Sequence, residues 1–453
     1  MTTRLVFLRS VWDQLSRHFA AASPSEDGAF LLLNNGRGTH GDRLVVPEVL
    51  LPPGDAWDSR GNHNLRPSAR WVSAAVGTAI ESNSGLAFVH SHPGTDHPSQ
   101  LSWIDKETST EWAHTFVPTL GMPFASLVWT PEDISGWLFT EADAEPIDID
   151  VFEALGRRRR IVLHEQGLVA RGDADLDDRQ ARALGNLGNS RLRKLSVAIV
   201  GAGGTGSPLA EILARMGVSR LCVIDPDVID TPSNLRRIAG SRWADLASHT
   251  SKAALVARHI RELRLVESVD GIHADVRRDD VARRLLDADL VISTTDTHSS
   301  RALLNQLATQ FYVPVVDVGV KVGTAKDGSI SGMPVEVRLL LPDEPCLWCR
   351  GVLDAERIRA ENLPSEERLR LEAEGYIQGV LQPQPSLAAL NHVAASFAAT
   401  IALELATDND VPAGSFIVDA WELYLQPMDV DIDPACVCRH WRGRGDSAAI
   451  PTL

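Results

Sequence analysis

The period of hydrophobic and polar positions changes along this chain, and each change marks an element. Residues 10–21 place apolar side chains at helical spacing, while 29–33, 86–90 and 124–129 are short apolar runs bounded by turn residues, as buried strands are. This predicts an α/β or α+β domain upstream of residue 140. Farther along, residues 196–200, a glycine turn, a helical run to Met216 and a strand at 221–225 predict a βαβ unit. Strands at 290–293 and 313–317 continue a mostly parallel sheet, so the chain as a whole is read as α/β. The apolar stretch 387–406 has the length of a membrane span, yet it carries Asn391, His392 and Glu404, and a buried helix is expected.

Between the patterned regions, residues 141–150 are acidic and aperiodic, and Arg157-Arg-Arg-Arg160 follows. We read 141–160 as a linker between a first domain, 1–140, and a second, 161–453. With 453 residues, 44% of them apolar, the chain can bury two cores. A net charge of -16 argues against a nucleic-acid footprint and leaves the arginine run as a solvated connector. Arg4 and Arg9 break the apolar run at the start, so a secretory signal is not expected and the cytoplasm is. Four of the five cysteines stand in the close pairs Cys346/Cys349 and Cys436/Cys438, which in a reducing compartment favours metal binding over disulfides.

His90 and His92, two apart at the end of an apolar strand, point to one face and can share a divalent metal. Asp105, at the start of a helix, supplies a third ligand and leaves a fourth position for water, which Glu26 can deprotonate as general base. Ser102 can hydrogen-bond the oxyanion that forms at a scissile carbonyl. An isolated His-x-His pair usually just closes a strand; here a glutamate, a serine and an aspartate accompany it. Glu26, His90-Ser-His92-Pro93 and Ser102-x-x-Asp105 together resemble the JAB/MPN (JAMM) metalloprotease family over residues 1–140. The resemblance implies a zinc peptidase that cuts after the C-terminal glycine of ubiquitin-like or sulfur-carrier proteins. The nine residues 93–101 make a longer interval than the family usually has, and Asp96 and His97 within it are read as solvated loop polarity.

In the second domain, Gly201-Ala-Gly203-Gly204-Thr-Gly206 joins a strand to a helix, and backbone amides there can face phosphate. Asp225 at the next strand end suits a ribose hydroxyl of either NAD or ATP. Asn234, Arg237, Lys252 and the pair Thr295-Asp296 suit a triphosphate better than hydride transfer. With Asp178-Arg179-Gln180 and the cysteine pairs, these positions resemble the ThiF/MoeB superfamily of ubiquitin-activating adenylyltransferases over 175–440. The resemblance implies a Rossmann-like fold in which Gly201, Gly203 and Gly206 cradle ATP and Asp225 holds its ribose. It gives Asn234, Arg237 and Lys252 to the phosphates, Asp296 to magnesium, and Arg179 to a finger that reaches across a homodimer. Cys346, Cys349, Cys436 and Cys438 then form a structural zinc site, and Cys222 is a core residue. The implied reaction is attack of a C-terminal carboxylate on the α-phosphate of ATP.

Many relatives carry a catalytic cysteine where residues 372–378 here read Glu-Ala-Glu-Gly-Tyr-Ile-Gln, so this chain is expected to stop at the adenylate. The expected function is trimming of a β-grasp modifier and activation of the glycine carboxylate exposed, with hand-over to a sulfur donor or conjugating enzyme. Nucleic acid and membrane are not expected partners. The alternatives are an adenylating tailoring enzyme for a peptide or metabolite with an associated metallopeptidase, and a non-catalytic scaffold of a conjugation system.

Overall fold

The computed structural model describes residues 2–61, 65–93, 102–131, 133–157, 160–163, 174–374, 385–407, 411 and 414–452. Two compact units emerge, one of residues 1–166 with 310–312 and 441–449, the other of the remainder.

The first unit opens with β1 (Thr2–Leu8), α1 (Arg9–Ala22), β2 (Gly28–Arg37), β3 (Gly41–Val46) and β4 (Val49–Leu50). The hairpin β5 (Trp57–Arg60) and β6 (Leu65–Pro67) follows, then α2 (Ala69–Ser82), β7 (Gly85–Ser91) and α3 (Trp103–Leu120). The unit closes with β8 (Phe124–Trp129), β9 (Ile134–Phe139), β10 (Ile147–Asp148), β11 (Val151–Leu155) and β12 (Arg160–Leu163). Ten of these strands form one mixed sheet in the order β10-β9-β8-β7-β2-β3-β1-β11-β12, with β4 beside β2. Strand β7 runs antiparallel to β2 and parallel to β8, and every one of its residues is buried. Phe30, Trp71, Phe88, Phe116 and Phe124 make the aromatic core between this sheet and α2 and α3.

The expected linker is a correction. Residues 147–163 carry β10, β11 and β12, and β11 pairs in parallel with β1. Within the span read as linker, Glu153 has a side chain that is 0% exposed and bonded to Arg4 at 2.9 Å, with Arg43 at 3.8 Å. A charge buried against two guanidiniums reads as surface in composition alone. Of the arginine run, residues 158 and 159 lie outside the described residues.

The second unit begins with α4 (Ala174–Lys194), β13 (Ser196–Val200), α5 (Gly206–Arg215), β14 (Arg220–Ile224) and the short α6 (Pro232–Leu235) and α7 (Trp243–Ala247). Next come α8 (Lys252–Leu263), β15 (Ser268–Ile272), α9 (Asp279–Arg284), β16 (Leu290–Ser293), α10 (His298–Gln310) and β17 (Val315–Val320). The small ribbon β18 (Gly323–Thr324) and β19 (Ile330–Gly332) precedes β20 (Pro334–Leu340), α11 (Ala355–Glu361) and α12 (Ser365–Ala373). Helix α13 (Ala388–Ala406) and strands β21 (Ser415–Asp419) and β22 (Tyr424–Pro427) finish it.

Its eight-stranded sheet runs β15-β14-β13-β16-β17-β20-β21-β22, parallel from β15 to β17 and antiparallel beyond. From β13 the chain winds outward through β14 to β15, then returns to β16 on the other side of β13. Such a reversal opens a crevice at the carboxyl ends of the two strands, where ligands bind in doubly wound sheets. Helix α13 is long and apolar enough to cross a membrane, and it packs against α5, β17 and β20 with Leu390, Asn391, Ala394 and Ala398 buried.

Candidate functional site

Two side-chain constellations stand out, one in each unit, together with a cysteine cluster in the second. In the first unit, β2 and β7 pair so that Gly28 lies opposite His90. A Cβ at position 28 would stand 2.8 Å from the Phe88 ring, which stacks on His90, so glycine lets the two strands hold that ring under the imidazole. Helix α3 starts at a capping box: the Ser102 hydroxyl accepts from the Asp105 amide at 3.2 Å, and the Asp105 carboxylate accepts from the Ser102 amide at 2.6 Å. The Ser-x-x-Asp spacing is therefore first a helix cap, and it leaves the other carboxylate oxygen free to turn toward β7.

That oxygen, Asp105 Oδ1, lies 3.3 Å from His90 Nε2, and His92 Nε2 lies 3.2 Å from the same nitrogen. A tetrahedral zinc with bonds of about 2.0–2.1 Å separates its ligands by about 3.3 Å, so this donor set fits the ion in both chemistry and spacing. Burial pushes the Asp105 carboxyl up, but the hydrogen bond and charge of His90 and the two bonds from Ser102 outweigh it and hold the group at about 2. The cleft over these atoms has a volume of about 480 Å³, and Glu26 and Ser102 line it beside His90, His92 and Asp105. Leu65, Pro67, Ile104 and Trp112 supply its apolar wall. The Ser102 hydroxyl is engaged with Asp105 Oδ2 at 2.7 Å, so in this state it orients a ligand. Asp96 and His97 lie outside the described residues.

In the second unit the glycine turn fills the crevice at the ends of β13 and β16. Gly201 has φ +103°, and a Cβ at Gly206 would stand 1.8 Å from the Gly201 carbonyl oxygen, so only glycines let strand, turn and helix close on one another. A Cβ at Gly203 meets nothing within 4 Å, which leaves its backbone open to a ligand. Asp225 is 6% exposed, and its two carboxylate oxygens accept from the amides of Ala202 at 2.7 Å and Asp227 at 2.8 Å. Burial pushes this carboxyl up against the pull of Lys252 and those amides. Lys252, the first residue of α8, pairs with Asp227 at 2.6 Å. Buried Asn234 binds Asp230 and accepts from Arg237 at 2.9 Å, while Arg237 Nε is buried without a partner among the described residues. A guanidinium nitrogen without a partner among the described residues can take an anion such as a phosphate.

Asp296 is exposed in the loop after β16. Thr294 ties that loop to the turn, its hydroxyl donating to the Gly201 carbonyl at 2.7 Å. Arg301 on α10 holds the loop from the other side, donating to the Thr295 carbonyl at 3.1 Å with Asp317 at 3.3 Å. Asp317 is fully buried and also binds Arg338 at 2.9 Å. Arg179 is exposed on α4.

The sulfurs of Cys346, Cys349, Cys436 and Cys438 all lie within 4.8 Å of one another, with Cys346 3.7 Å from Cys349 and 3.6 Å from Cys436. Zinc–sulfur bonds of about 2.3 Å give sulfur separations of about 3.8 Å, so the four thiols fit a tetrahedral zinc. The Cys438 thiol beside it pushes Cys346 down to about 5, while burial pushes Cys436 up to about 11. Cys222 is mostly buried in β14, where burial pushes its thiol up to about 12, as for an inert core residue.

The ThiF family model matches residues 178–438. The chain belongs to the ThiF family. Its second unit is a ThiF/MoeB-type adenylyltransferase domain. Among similar proteins, the SAMP-activating enzyme E1 of Haloferax volcanii is 32% identical over 182 residues, 39% of this chain and 63% of the relative. The sulfur carrier protein ThiS adenylyltransferase of Bacillus subtilis is 28% identical over 172 residues, 38% of this chain and 48% of the relative. The chain thus spans about half to two thirds of the length of these relatives. Among solved structures, E. coli MccB with AMPCPP and MccA aligns with a TM-score of 0.47 at 17% identity, over 61% of this chain and 77% of that one.

Within the ThiF domain, Gly201, Gly203, Gly206, Asp225, Asn234, Arg237, Lys252 and Asp296 all stand on the turns and helix starts that follow the sheet's carboxyl ends. Thr294, Arg301, Asp317 and Arg338 escape a reading of the sequence, because the strand-end threonine and the helix arginine show their importance only through contacts with distant residues. In the first unit the same is true of Asp27 and Arg60. The stretch 375–384, which holds most of the segment lacking a cysteine, lies outside the described residues.

Proposed function

We propose that this chain is a two-site enzyme of a ubiquitin-like or sulfur-carrier system, with a zinc peptidase in its first unit and an adenylyltransferase in its ThiF domain. The observation that carries the peptidase reading is the meeting of Glu26, His90, His92, Ser102 and Asp105 in one cleft, with donor atoms at zinc-ligand spacing. Zinc held there supplies an activated water and polarises a carbonyl. His90, His92 and Asp105 would hold the ion, Glu26 is placed to take a proton in the cleft and return it to the leaving amine, and Ser102 orients Asp105 and could serve the oxyanion once its hydroxyl turns from that carboxylate.

The adenylation reading rests on family membership and on the open glycine turn. The turn's amides meet the phosphates of ATP, Asp225 accepts from the ribose, Asn234 hydrogen-bonds the phosphates, and Arg237 and Lys252 offset their charge. Asp296 would hold magnesium, whose positive charge would offset that of the phosphates. A glycine carboxylate attacks the α-phosphorus and pyrophosphate leaves, giving an acyl-adenylate. The two relatives are named for SAMP and for ThiS, and this chain takes a partner of that class, a β-grasp protein that ends in glycine. An external thiol, sulfur donor or conjugating enzyme then accepts the acyl group.

The four cysteines hold a structural zinc, Arg179 serves a second copy of the chain in a homodimer, and five cysteines free of disulfides suit the cytoplasm. Carrying both sites on one chain raises the local concentration of trimmed carboxylate for the second reaction. ATP–pyrophosphate exchange with candidate β-grasp proteins ending in glycine tests the activation step. Exchange that disappears in Asp296→Ala is expected, and its absence with every candidate overturns the proposal.

A further inference from the structure

Next to Glu26 stands a buried carboxylate that the chemistry above does not use. Asp27 is 3% exposed, and its Oδ2 lies 2.8 Å from Arg60 Nη2 on β5. Its Oδ1 accepts from the Gly28 amide at 2.8 Å. A buried aspartate without a catalytic task needs another reason for its desolvation, and its partners supply one. The same Arg60 donates through Nε to the backbone carbonyl of Glu26 at 3.1 Å, and the Glu26 amide donates to the Gly61 carbonyl at 3.1 Å. Glu26 is thus held through its own backbone from both sides by the end of β5.

The clamp continues toward the metal ligands. The Asp27 amide donates to the Ser91 hydroxyl at 3.1 Å, and the Ser91 amide donates to the Asp27 carbonyl at 2.8 Å. Ser91 is the residue between His90 and His92, so one set of bonds joins the backbone of Glu26 to the backbone of the two imidazoles. His18 Nε2 stands 3.4 Å from Asp27 Oδ2 without hydrogen-bond alignment and adds a polar neighbour to the same carboxylate.

We propose that Arg60 and Asp27 are positioning residues that fix Glu26 at its working distance from His90 and His92. This rests on the peptidase reading. A general base must lie within hydrogen-bond reach of the proton it takes, and an error of about 1 Å costs on the order of 100-fold in rate. The residue types follow from the task. A guanidinium can bind a carbonyl through Nε and a carboxylate through Nη2 at once, which a lysine cannot match in the same plane. The arginine also comes from a hairpin outside the main sheet, so the clamp is where that hairpin is tied to the site.

The test uses the full chain and the variants Arg60→Met, Arg60→Lys and Asp27→Asn. Hydrogen exchange of the metal-free proteins reads the clamp itself: faster exchange at the amides of 26, 27 and 91 is expected in Arg60→Met and Asp27→Asn. Unchanged exchange in both variants overturns the clamp, whatever the enzyme does. Cleavage of a peptide extending past Gly-Gly reads its purpose. With zinc content unchanged, kcat is expected to fall about 10-fold to 100-fold with KM within twofold, and free guanidinium is expected to restore part of the loss in Arg60→Met. A normal kcat, or a loss of zinc that accounts for the whole fall, overturns the positioning role. If the wild-type chain neither binds zinc in this unit nor cleaves, the peptidase reading fails and with it the positioning role, while the exchange result still reports whether the clamp exists.

Discussion

Two glycines of one turn should respond in opposite ways to the same methyl group. At Gly206 an added Cβ would sit 1.8 Å from the Gly201 carbonyl oxygen and 2.7 Å from Thr294 Oγ1, and the first of these is backbone that cannot swing aside. Gly206→Ala therefore overpacks the contact between β13 and α5, at a cost of about 1–3 kcal/mol. For a unit of this size that lowers Tm by roughly 2–12 °C. At Gly203 the Cβ meets nothing within 4 Å, and φ is outside the left-handed region. Gly203→Ala should stabilise the free protein by about 0.4–1 kcal/mol through the unfolded chain, raising Tm by about 1–4 °C. The same methyl occupies the space through which the backbone approaches phosphate, so ATP affinity should fall at least about tenfold, or about 1.4 kcal/mol. Differential scanning calorimetry gives the first quantity and isothermal titration with a non-hydrolysable ATP analogue the second. A Gly203→Ala protein that binds the nucleotide as well as wild type refutes the assignment of this turn as the phosphate cradle. Unchanged Tm in Gly206→Ala refutes the close packing.

Elemental analysis should find two zinc ions per chain, reduced to one by His92→Ala and to one by Cys436→Ser; only the cysteine variant should also lose several degrees of Tm in the ThiF domain. Asp105, held at about 2, contributes stability that is complete above the ordinary carboxylate value of 3.8 and is lost only as pH falls through about 2. Acidification should release the first unit's zinc as protons compete for its ligands, and zinc content that does not fall from pH 7 down to about 2 contradicts this. Arg301→Met removes the bonds to the Thr295 and Val318 carbonyls, a loss of about 1–3 kcal/mol, and should lower kcat for ATP–pyrophosphate exchange about tenfold by loosening the Asp296 loop. An unchanged kcat there means that the loop does not depend on Arg301.

Where an element's identity is local, the sequence carries it. The strands at 124–129, 196–200 and 290–293 coincide with β8, β13 and β16, since buried strands of short length show as unbroken apolar runs. The residues at 90, 92, 102 and 105 are legible because strand alternation and a capping box are local rules, and both leave a spacing in the chain. The same local view treats Ser102 only as chemistry, although the structure shows it first as a helix cap. Glu153 is illegible for the opposite reason: its two arginines come from strands more than a hundred residues earlier, so its stretch looks like a solvated connector. Asp27, Arg60, Thr294 and Arg301 follow the same pattern, each acting through a contact that pairs distant segments.

The most direct test of the whole account gives the chain a β-grasp partner whose tail extends past Gly-Gly and follows ATP–pyrophosphate exchange. Wild type should exchange with both the extended and the trimmed partner, Glu26→Gln with the trimmed partner alone, and Asp296→Ala with neither. Exchange by Glu26→Gln with the extended partner contradicts the order of trimming before activation, and no exchange by wild type with the trimmed partner contradicts the activating role itself.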